Sequence, residues 1–399
     1  MVRETGEGRL LVAALAAYGV LGMLPLTISP VLVNVVEHHA KLGSAYSGLV
    51  ASAALISVTM GALAGSLVVH RISFRRLAGI GGCLLAASQI ILIALASSRA
   101  ALIPTWMLAG FGAGLALAAG GGLITRSANA AAFAAKVSVL ASLAGIVILP
   151  MSGLLTTYLG PKGLSLALLA TVALVWLGVR QLAPTEPSGR PDLTPGVFGG
   201  NRFARAILLL TAASVWTRDG MVWSFSAVLG LRVGVSEASM SAIFFAVGLS
   251  GMAGSAVTAW FVSTRTEMGA ALIGGALVSG SLSLLWVTAA GPAAFATLQI
   301  AYNASQFFLV PLYLGLAALL DRTGRLAAAV GAVSLAGAAI GPAAAGVLLE
   351  RSGGEGLLAG LAFMLVLTLV LHLLLAGALR SGKLAGDADP APVSALGVS

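Results

Sequence analysis

The strongest constraint on this chain is a series of twelve apolar segments, each long enough to cross a membrane as a helix. Such a helix needs about 20 consecutive, mainly apolar residues. The segments, called spans 1 to 12 below, lie at roughly 10–36, 45–69, 77–97, 101–125, 134–158, 163–182, 204–230, 238–262, 269–290, 292–320, 327–349 and 356–379. They fill most of the 399 residues, so no sizeable soluble domain fits beside them.

The composition supports the same prediction. Hydrophobic residues make up 59% of the chain and charged residues 9%. A soluble domain carries about 25% charged residues to keep its surface hydrated. The sequence therefore excludes a soluble enzyme, a disordered chain and a fibrous protein. It predicts an all-α protein with twelve transmembrane helices, surrounded by a lipid bilayer.

The distribution of basic residues predicts the orientation in the membrane. Of the 22 Lys and Arg residues, sixteen lie in the termini and in the loops on one side, and five lie on the other side. Because basic loops stay in the cytoplasm, both termini should be cytoplasmic in a multi-pass protein of the bacterial inner membrane. The net charge of +9 is explained by these loops. No basic run with interleaved aromatic residues indicates a nucleic-acid partner.

An internal repeat predicts two halves. The sequence SLAG at 142–145 recurs at 334–337, and IGG at 80–82 recurs at 273–275. The nearly constant shift predicts six-helix bundles at 1–182 and 204–380, joined by a cytoplasmic linker at 183–203 and followed by a tail at 381–399. Chance matching of an Ala- and Gly-rich sequence is the alternative. Duplicated bundles are typical of transporters that work by alternating access.

The loop after span 2 carries a family resemblance. Its sequence GSLVVHRISFRR, from Gly65 to Arg76, is similar to the motif Gly-x-Leu-x-Asp-Arg-x-Gly of the major facilitator superfamily. His70 stands in place of the usual Asp, and Ser73 in place of Gly. The resemblance implies that this loop braces one conformation of a twelve-helix transporter. The residues concerned are Gly65, His70, Arg71, Arg75 and Arg76.

Two proline positions extend the resemblance to other spans. Span 11 contains Gly341-Pro342 within a glycine-rich stretch, a frequent family pattern, and span 5 contains Leu149-Pro150. The family's antiporters usually have Gly where Leu149 stands. The resemblance implies conformational roles for Pro150, Gly341 and Pro342.

Arg218 and Asp219 are the most informative polar residues. They lie inside span 7, and a charge in the hydrocarbon core costs about 2.5–3.5 kcal/mol on insertion scales. We expect Arg218 to bind an anionic group of the substrate and Asp219 to exchange the coupling proton. The alternative is a structural ion pair that locks span 7.

Span 10 carries polar residues on one helical face. Gln299, Asn303 and Gln306 follow spacings of four and three, and Tyr302 flanks them. The family resemblance implies that spans 1, 4, 7 and 10 line a central cavity. These residues are therefore predicted to bind substrate, with interhelical hydrogen bonding as the alternative.

Aromatic and proline residues in spans 1 and 7 suggest further contacts. Trp216 and Trp223 lie seven residues apart on span 7 and could stack on an aromatic substrate, although packing is the alternative. Pro25 and Pro30 predict a broken span 1. The adjacent Glu37-His38-His39 sequence is interpreted as a solvated loop rather than a metal site.

These observations predict a function without a cofactor or a metal. No Walker-type loop indicates ATP, and no metalloprotease motif occurs, so the chain is not predicted to be an enzyme. We expect a monomeric secondary active transporter of a small organic anion, aromatic anions included, coupled to protons. The alternatives are an exporter of amphipathic drugs or metabolites, and a membrane sensor or scaffold that does not transport.

Overall fold

The computed structural model describes residues 8, 11–69, 71–95, 98–124, 130–180, 202–261, 265–321 and 325–380. Within these residues the chain is almost wholly helical and contains no strand. Each of the twelve predicted spans forms a helix or a row of short helices, so the all-α prediction is confirmed. His70, most of the predicted linker and the tail at 381–399 lie outside the described residues.

Most spans are single helices. Spans 2 to 6 are Ser44–Val68, Phe74–Leu95, Arg99–Ile124, Ala130–Leu159 and Pro161–Arg180. Spans 8 to 10 are Glu237–Phe261, Arg265–Val287 and Pro292–Leu320. Spans 11 and 12 form Arg325–Arg380, which turns at Gly353. The backbone φ of Gly353 is +60°, a left-handed conformation that a residue without Cβ adopts at little cost.

Spans 1 and 7 are broken. Span 1 consists of Leu15–Gly22, Leu24–Thr27, Ser29–Asn34 and Val35–His39, and the first and last pieces have wide π-type turns. Two prolines explain the breaks, because neither has an N–H to donate to the carbonyl four residues earlier. Span 7 consists of Arg202–Trp223 and Ser226–Arg232. The predicted break in span 1 is confirmed.

The helices suit a membrane by length and composition. In the described part of the chain, eight helical segments are long and apolar enough to cross a bilayer. Spans 11 and 12 count there as one segment, while broken spans 1 and 7 and the shorter span 6 fall outside the count. Large apolar side chains such as Leu63, Leu174 and Phe363 point outward. A helix satisfies its own backbone hydrogen bonds, as the hydrocarbon region requires.

Glycines allow close contact between spans. Gly110 and Gly114 on span 4 lie against the backbone carbonyls of Ala54 and Val58 on span 2, where any Cβ would collide. The small-residue face of span 4 therefore packs directly against the backbone of span 2. Span 3 packs against span 4, and span 6 packs against spans 3 and 5. Spans 7 to 12 form a second group of mutual contacts.

Besides a contact between the broken spans 1 and 7, two long helix pairs join the first six spans to the last six. Span 2 packs against span 11, and span 5 packs against span 8. Gly48 on span 2 lies against the carbonyl of Pro342 on span 11. In the predicted repeat, span 2 corresponds to span 8 and span 5 to span 11, so the two pairs are equivalent. The division at 183–203 itself stays a prediction.

Candidate functional site

Arg218 is a fully buried cation inside the last six spans. Its Nη2 donates to Ser279 Oγ on span 9 at 2.6 Å and to Gln306 Oε1 on span 10 at 3.1 Å. The Ser279 hydroxyl also donates to Gln306 Oε1, at 2.9 Å. Nε and Nη1 of Arg218 have no hydrogen-bond partner among the described residues. In that part of the chain no carboxylate forms an ion pair with it, so the guanidinium can still donate to an anion.

Asp219 points to a different partner. Its Oδ1 accepts a hydrogen bond of 2.8 Å from the Tyr302 hydroxyl on span 10. Asp219 is half-buried, whereas Tyr302 is only 1% exposed. The Tyr302 ring lies 5.3 Å from that of Trp286 on span 9, measured between centroids. The carboxyl group is therefore held between spans 7 and 10, apart from the contacts of Arg218.

The three predicted amides of span 10 are all buried, and they have different partners. Gln306 accepts from Arg218 and Ser279, while its Nε2 has no partner in the described residues. Asn303 donates to the carbonyl of Val247 on span 8 at 2.7 Å. Neither amide atom of Gln299 has a described hydrogen-bond partner. Gln299 and Gln306 thus retain unused hydrogen-bonding groups, whereas Asn303 links two helices.

Trp223 joins the two broken spans. Its Nε1 donates to the carbonyl of Leu26 at 3.1 Å, the carbonyl that Pro30 leaves without its usual donor. Its ring meets Phe244 edge-on at 5.9 Å. One residue further on, Ser224 Oγ donates to Ser29 Oγ at 3.2 Å. Trp216 is half-buried on the same helix. The structure thus gives Trp223 a contact between spans 1 and 7.

The end of span 1 differs from the solvated loop that its sequence suggested. Glu37 and His39 belong to the helical piece Val35–His39 and contact the last six spans. Arg232 donates to Glu37 Oε1 at 2.9 Å, and His39 Nε2 lies 3.1 Å from Glu237 Oε1. The solvated-loop interpretation was wrong because the partners come from distant spans 7 and 8. We call this end of the bundle, predicted to face outside, the outer end.

Several site residues carry no sequence signal. Ser279, Trp286 and Glu237 become important only through their contacts with residues of other helices. A serine in an apolar helix is common. Glu237 lies in the first turn of its helix, where an acidic residue is favourable for any helix. No spacing rule could have paired them with their partners. Among the described residues, no group of three or more His, Cys, Asp or Glu side chains could hold a metal ion.

Comparison of the whole fold with solved structures is decisive for the architecture. A proton-dependent oligopeptide transporter superimposes with a TM-score of 0.68 at 13% identity, covering 93% of this chain and 97% of its own. The fold is that of the major facilitator superfamily. A bacterial homologue of the human lysosomal transporter Spinster, inward-facing and unoccupied, gives a TM-score of 0.65 at 14% identity, with coverages of 94% and 96%.

Comparisons of the sequence alone do not identify a family. Neither a protein-family model nor a curated protein sequence matches the chain. The family resemblance implied that spans 7 and 10 are two of the four spans that line the central cavity. The Asp219–Tyr302 contact joins these two spans. The guanidinium of Arg218 also contacts span 10, through Gln306, and it contacts span 9 through Ser279.

The predicted conformational residues of the major facilitator motifs lie at helix contacts or at a helix end. Gly65 packs against Ala118, and the carbonyl of Pro342 packs against span 2. Gly341 lies against the Thr217 carbonyl, and Pro150 is buried in span 5. After span 2, Arg71 and Arg76 are exposed and Arg75 is half-buried.

Proposed function

We propose that this chain is a secondary active transporter that moves a small organic anion by alternating access, coupled to protons. The observation that carries this proposal is the buried guanidinium of Arg218, with two nitrogens unpartnered in the described residues. Burying a cation without an anionic partner is costly. A bound carboxylate would supply both the opposite charge and the missing hydrogen-bond acceptors.

Substrate binding requires a rearrangement around Arg218. Its side chain is 0% exposed; it donates to Ser279 and Gln306, and its Nη1 lies against Gly280. The two broken spans, 1 and 7, contact each other further along span 7, at Trp223 and Ser224, and provide places where the backbone can change direction. Gln299 and the Gln306 Nε2 group would hydrogen-bond the polar part of a substrate in the opened state.

Asp219 provides the coupling to protons in this proposal. It is adjacent in the chain to Arg218, so an anion bound at Arg218 would repel an ionised Asp219 carboxylate. Proton uptake by Asp219 would relieve that repulsion. Substrate and proton would then bind together and cross in the same direction. The proton dependence of one structural neighbour supports coupling in a protein of this fold.

The cellular location, the orientation and the partners in this proposal are predicted from the sequence. The expected location is the inner membrane of a bacterial cell, with both termini in the cytoplasm and the protein as a monomer. The partners are a small organic solute, protons and the lipid bilayer. The distribution of Lys and Arg residues predicts the orientation in the membrane, and the outer end is named from that orientation.

A ligand screen with matched arginine variants tests the substrate class. The purified protein would be heated in detergent with aromatic carboxylates, aliphatic carboxylates, dipeptides and lipophilic cations, because a ligand of the folded state raises its apparent stability. Arg218→Ala should abolish stabilisation by carboxylates. Arg205→Ala is the control, since Arg205 lies on the same helix and donates to the Leu320 carbonyl.

Other outcomes select an alternative. Stabilisation by lipophilic cations alone, unchanged in Arg218→Ala, would replace the anion proposal with export of amphipathic compounds. A ligand that binds but produces no flux in proteoliposomes would favour a sensor or scaffold. For a stabilising carboxylate, flux driven by a pH gradient should disappear in Asp219→Asn while exchange of labelled substrate continues.

A further inference from the structure

The outer end is closed by polar contacts between the first six and the last six spans. Arg232 of span 7 donates to Glu37 Oε1 of span 1 at 2.9 Å. The backbone N–H of Ala45, in the first turn of span 2, donates to Glu350 Oε2 of span 11 at 2.7 Å. His39 of span 1 contacts a carboxylate of span 8. We call these three contacts the outer latch: Glu37–Arg232, Ala45–Glu350 and His39–Glu237. All three must break before the outer end can open.

The contact between His39 and Glu237 is the part of the outer latch whose charge can change near neutral pH. His39 Nε2 lies 3.1 Å from Glu237 Oε1, and each side chain is 22% exposed, so protons in the surrounding water reach both. Asn34 Nδ2 donates to the same carboxylate oxygen at 3.3 Å. Histidine gains or loses its charge between about pH 5 and 8, whereas an arginine guanidinium stays charged. The charge of the outer latch therefore follows His39.

Few other charged or titratable groups surround His39. They lie on its own helical piece, in the loop that follows and on span 7: Glu37, His38, Lys41 and Arg232. Glu37 and Arg232 form an ion pair with each other, whereas His38 and Lys41 are exposed. The His38 ring meets the His39 ring edge-on, with 5.7 Å between the centroids.

Spans 2 and 8, which contact this end of span 1, add Glu237 and no other charged side chain. Span 2 contains no charged residue, and its Tyr46 hydroxyl donates to the Arg99 carbonyl at the start of span 4. On span 8, Glu237 is the only charged residue of the helix. Among the described residues, Glu237 is thus the carboxylate with which a protonated His39 would pair.

We propose that the outer latch senses the pH at the outer surface: a protonated His39 holds the outer end closed, and loss of that proton releases it. The charged imidazole has a carboxylate partner only while the outer end is closed, so proton binding and closure favour each other. The neutral imidazole can still donate a hydrogen bond to Glu237, but the ion pair is lost. Closure is therefore strongest at acid pH and weakens as the pH rises through the titration range of histidine. This device is independent of Arg218 and of which solute is carried.

Distances between the first six and the last six spans test the proposal without any solute, so the result does not depend on the substrate proposed above. The full-length protein in nanodiscs would carry spin labels at Ala100→Cys and Ala290→Cys, two exposed positions at the outer end, with Cys83→Ser removing the native thiol. Pulsed electron paramagnetic resonance, at values from about pH 5 to 8, then gives the ratio of short to long distances. The ratio of closed to open molecules should fall about two- to fivefold across this range, the amount expected for a partly exposed pair.

Matched variants assign the effect to one residue. His39→Gln keeps a donor for Glu237 but has no titratable group, so its distances should not change with pH, and Glu237→Gln should behave in the same way. His38→Gln, at the exposed neighbouring histidine, should keep the dependence of the parent. Glu350→Gln weakens another contact of the outer latch, so it should raise the open fraction at every pH and leave the dependence unchanged.

Three results would overturn the proposal. The first is that the distances of both the parent and Glu350→Gln are the same at every pH. The second is that His39→Gln retains the dependence of the parent, or that His38→Gln loses it. The third is a dependence that disappears in Asp219→Asn while His39→Gln retains it, because that would place the proton on span 7.

Discussion

Tyr302 on span 10 donates a hydrogen bond of 2.8 Å to the carboxylate of Asp219 on span 7. The neighbouring Arg218 donates instead to Ser279 on span 9 and to Gln306 on span 10. Within the described residues, the two charged residues therefore do not form one structural ion pair.

Tyr302→Phe should lower the free energy of unfolding by about 1.5–3 kcal/mol, since a hydrogen bond to a charged group is lost in a buried site. The ring and its contact with Trp286 would remain. Chemical denaturation in detergent measures the change. Tyr158→Phe, at a side chain that is 79% exposed, serves as the control and should leave stability unaltered. Equal stability of both variants would show that the hydroxyl contributes little.

Ser279→Ala should destabilise the protein by about 1–3 kcal/mol, because a buried guanidinium loses an acceptor. The matched control is Ser283→Ala, one turn further along the same helix and equally buried. Ser283 donates only to the carbonyl of Gly280 in its own turn, at 2.6 Å, among the described contacts. Thermal unfolding should therefore show a smaller loss for Ser283→Ala. The reverse order would contradict the described arrangement around Arg218.

Gly341→Ala should destabilise the contact between spans 11 and 7. The added Cβ would lie 2.5 Å from the Thr217 carbonyl oxygen and 2.6 Å from the Gly220 carbonyl carbon, so the backbones must separate. Overpacking of this kind costs about 1–3 kcal/mol. Gly331→Ala on the same span meets nothing within 4 Å and should be neutral or stabilising by up to about 1 kcal/mol. Unfolding temperatures in detergent would rank the two variants.

Arg232→Gln should loosen the outer end with little effect on stability. The pair with Glu37 is partly exposed, and such pairs contribute about 0–1 kcal/mol. A cysteine in place of Ser29, a fully buried residue, would report the opening through its rate of labelling by a membrane-impermeant maleimide. Cys83→Ser removes the native thiol. Labelling should be faster with Arg232→Gln and unchanged with Arg351→Gln, an exposed arginine at the same end. Equal rates would argue that the ion pair does not keep this end closed.

The structure explains which sequence expectations succeeded. The twelve apolar spans and the broken span 1 follow from local rules about segment length and missing N–H groups. The polar face of span 10 was also predictable, because three buried amides follow helical spacing. The loop interpretation of Glu37 and His39 was wrong because the sequence around them does not show that Arg232 and Glu237, which are distant in the chain, will contact them.

Sequence alone determined that this chain is a polytopic helical protein of the membrane and identified Arg218 and Asp219 as residues too costly to bury without reason. Only the tertiary structure decided their partners. Arg218 contacts span 9 through Ser279, and Asp219 contacts span 10 through Tyr302. The physical reason is that apolar length and charge are properties of each segment, whereas hydrogen bonds depend on which helices pack together and at what rotation.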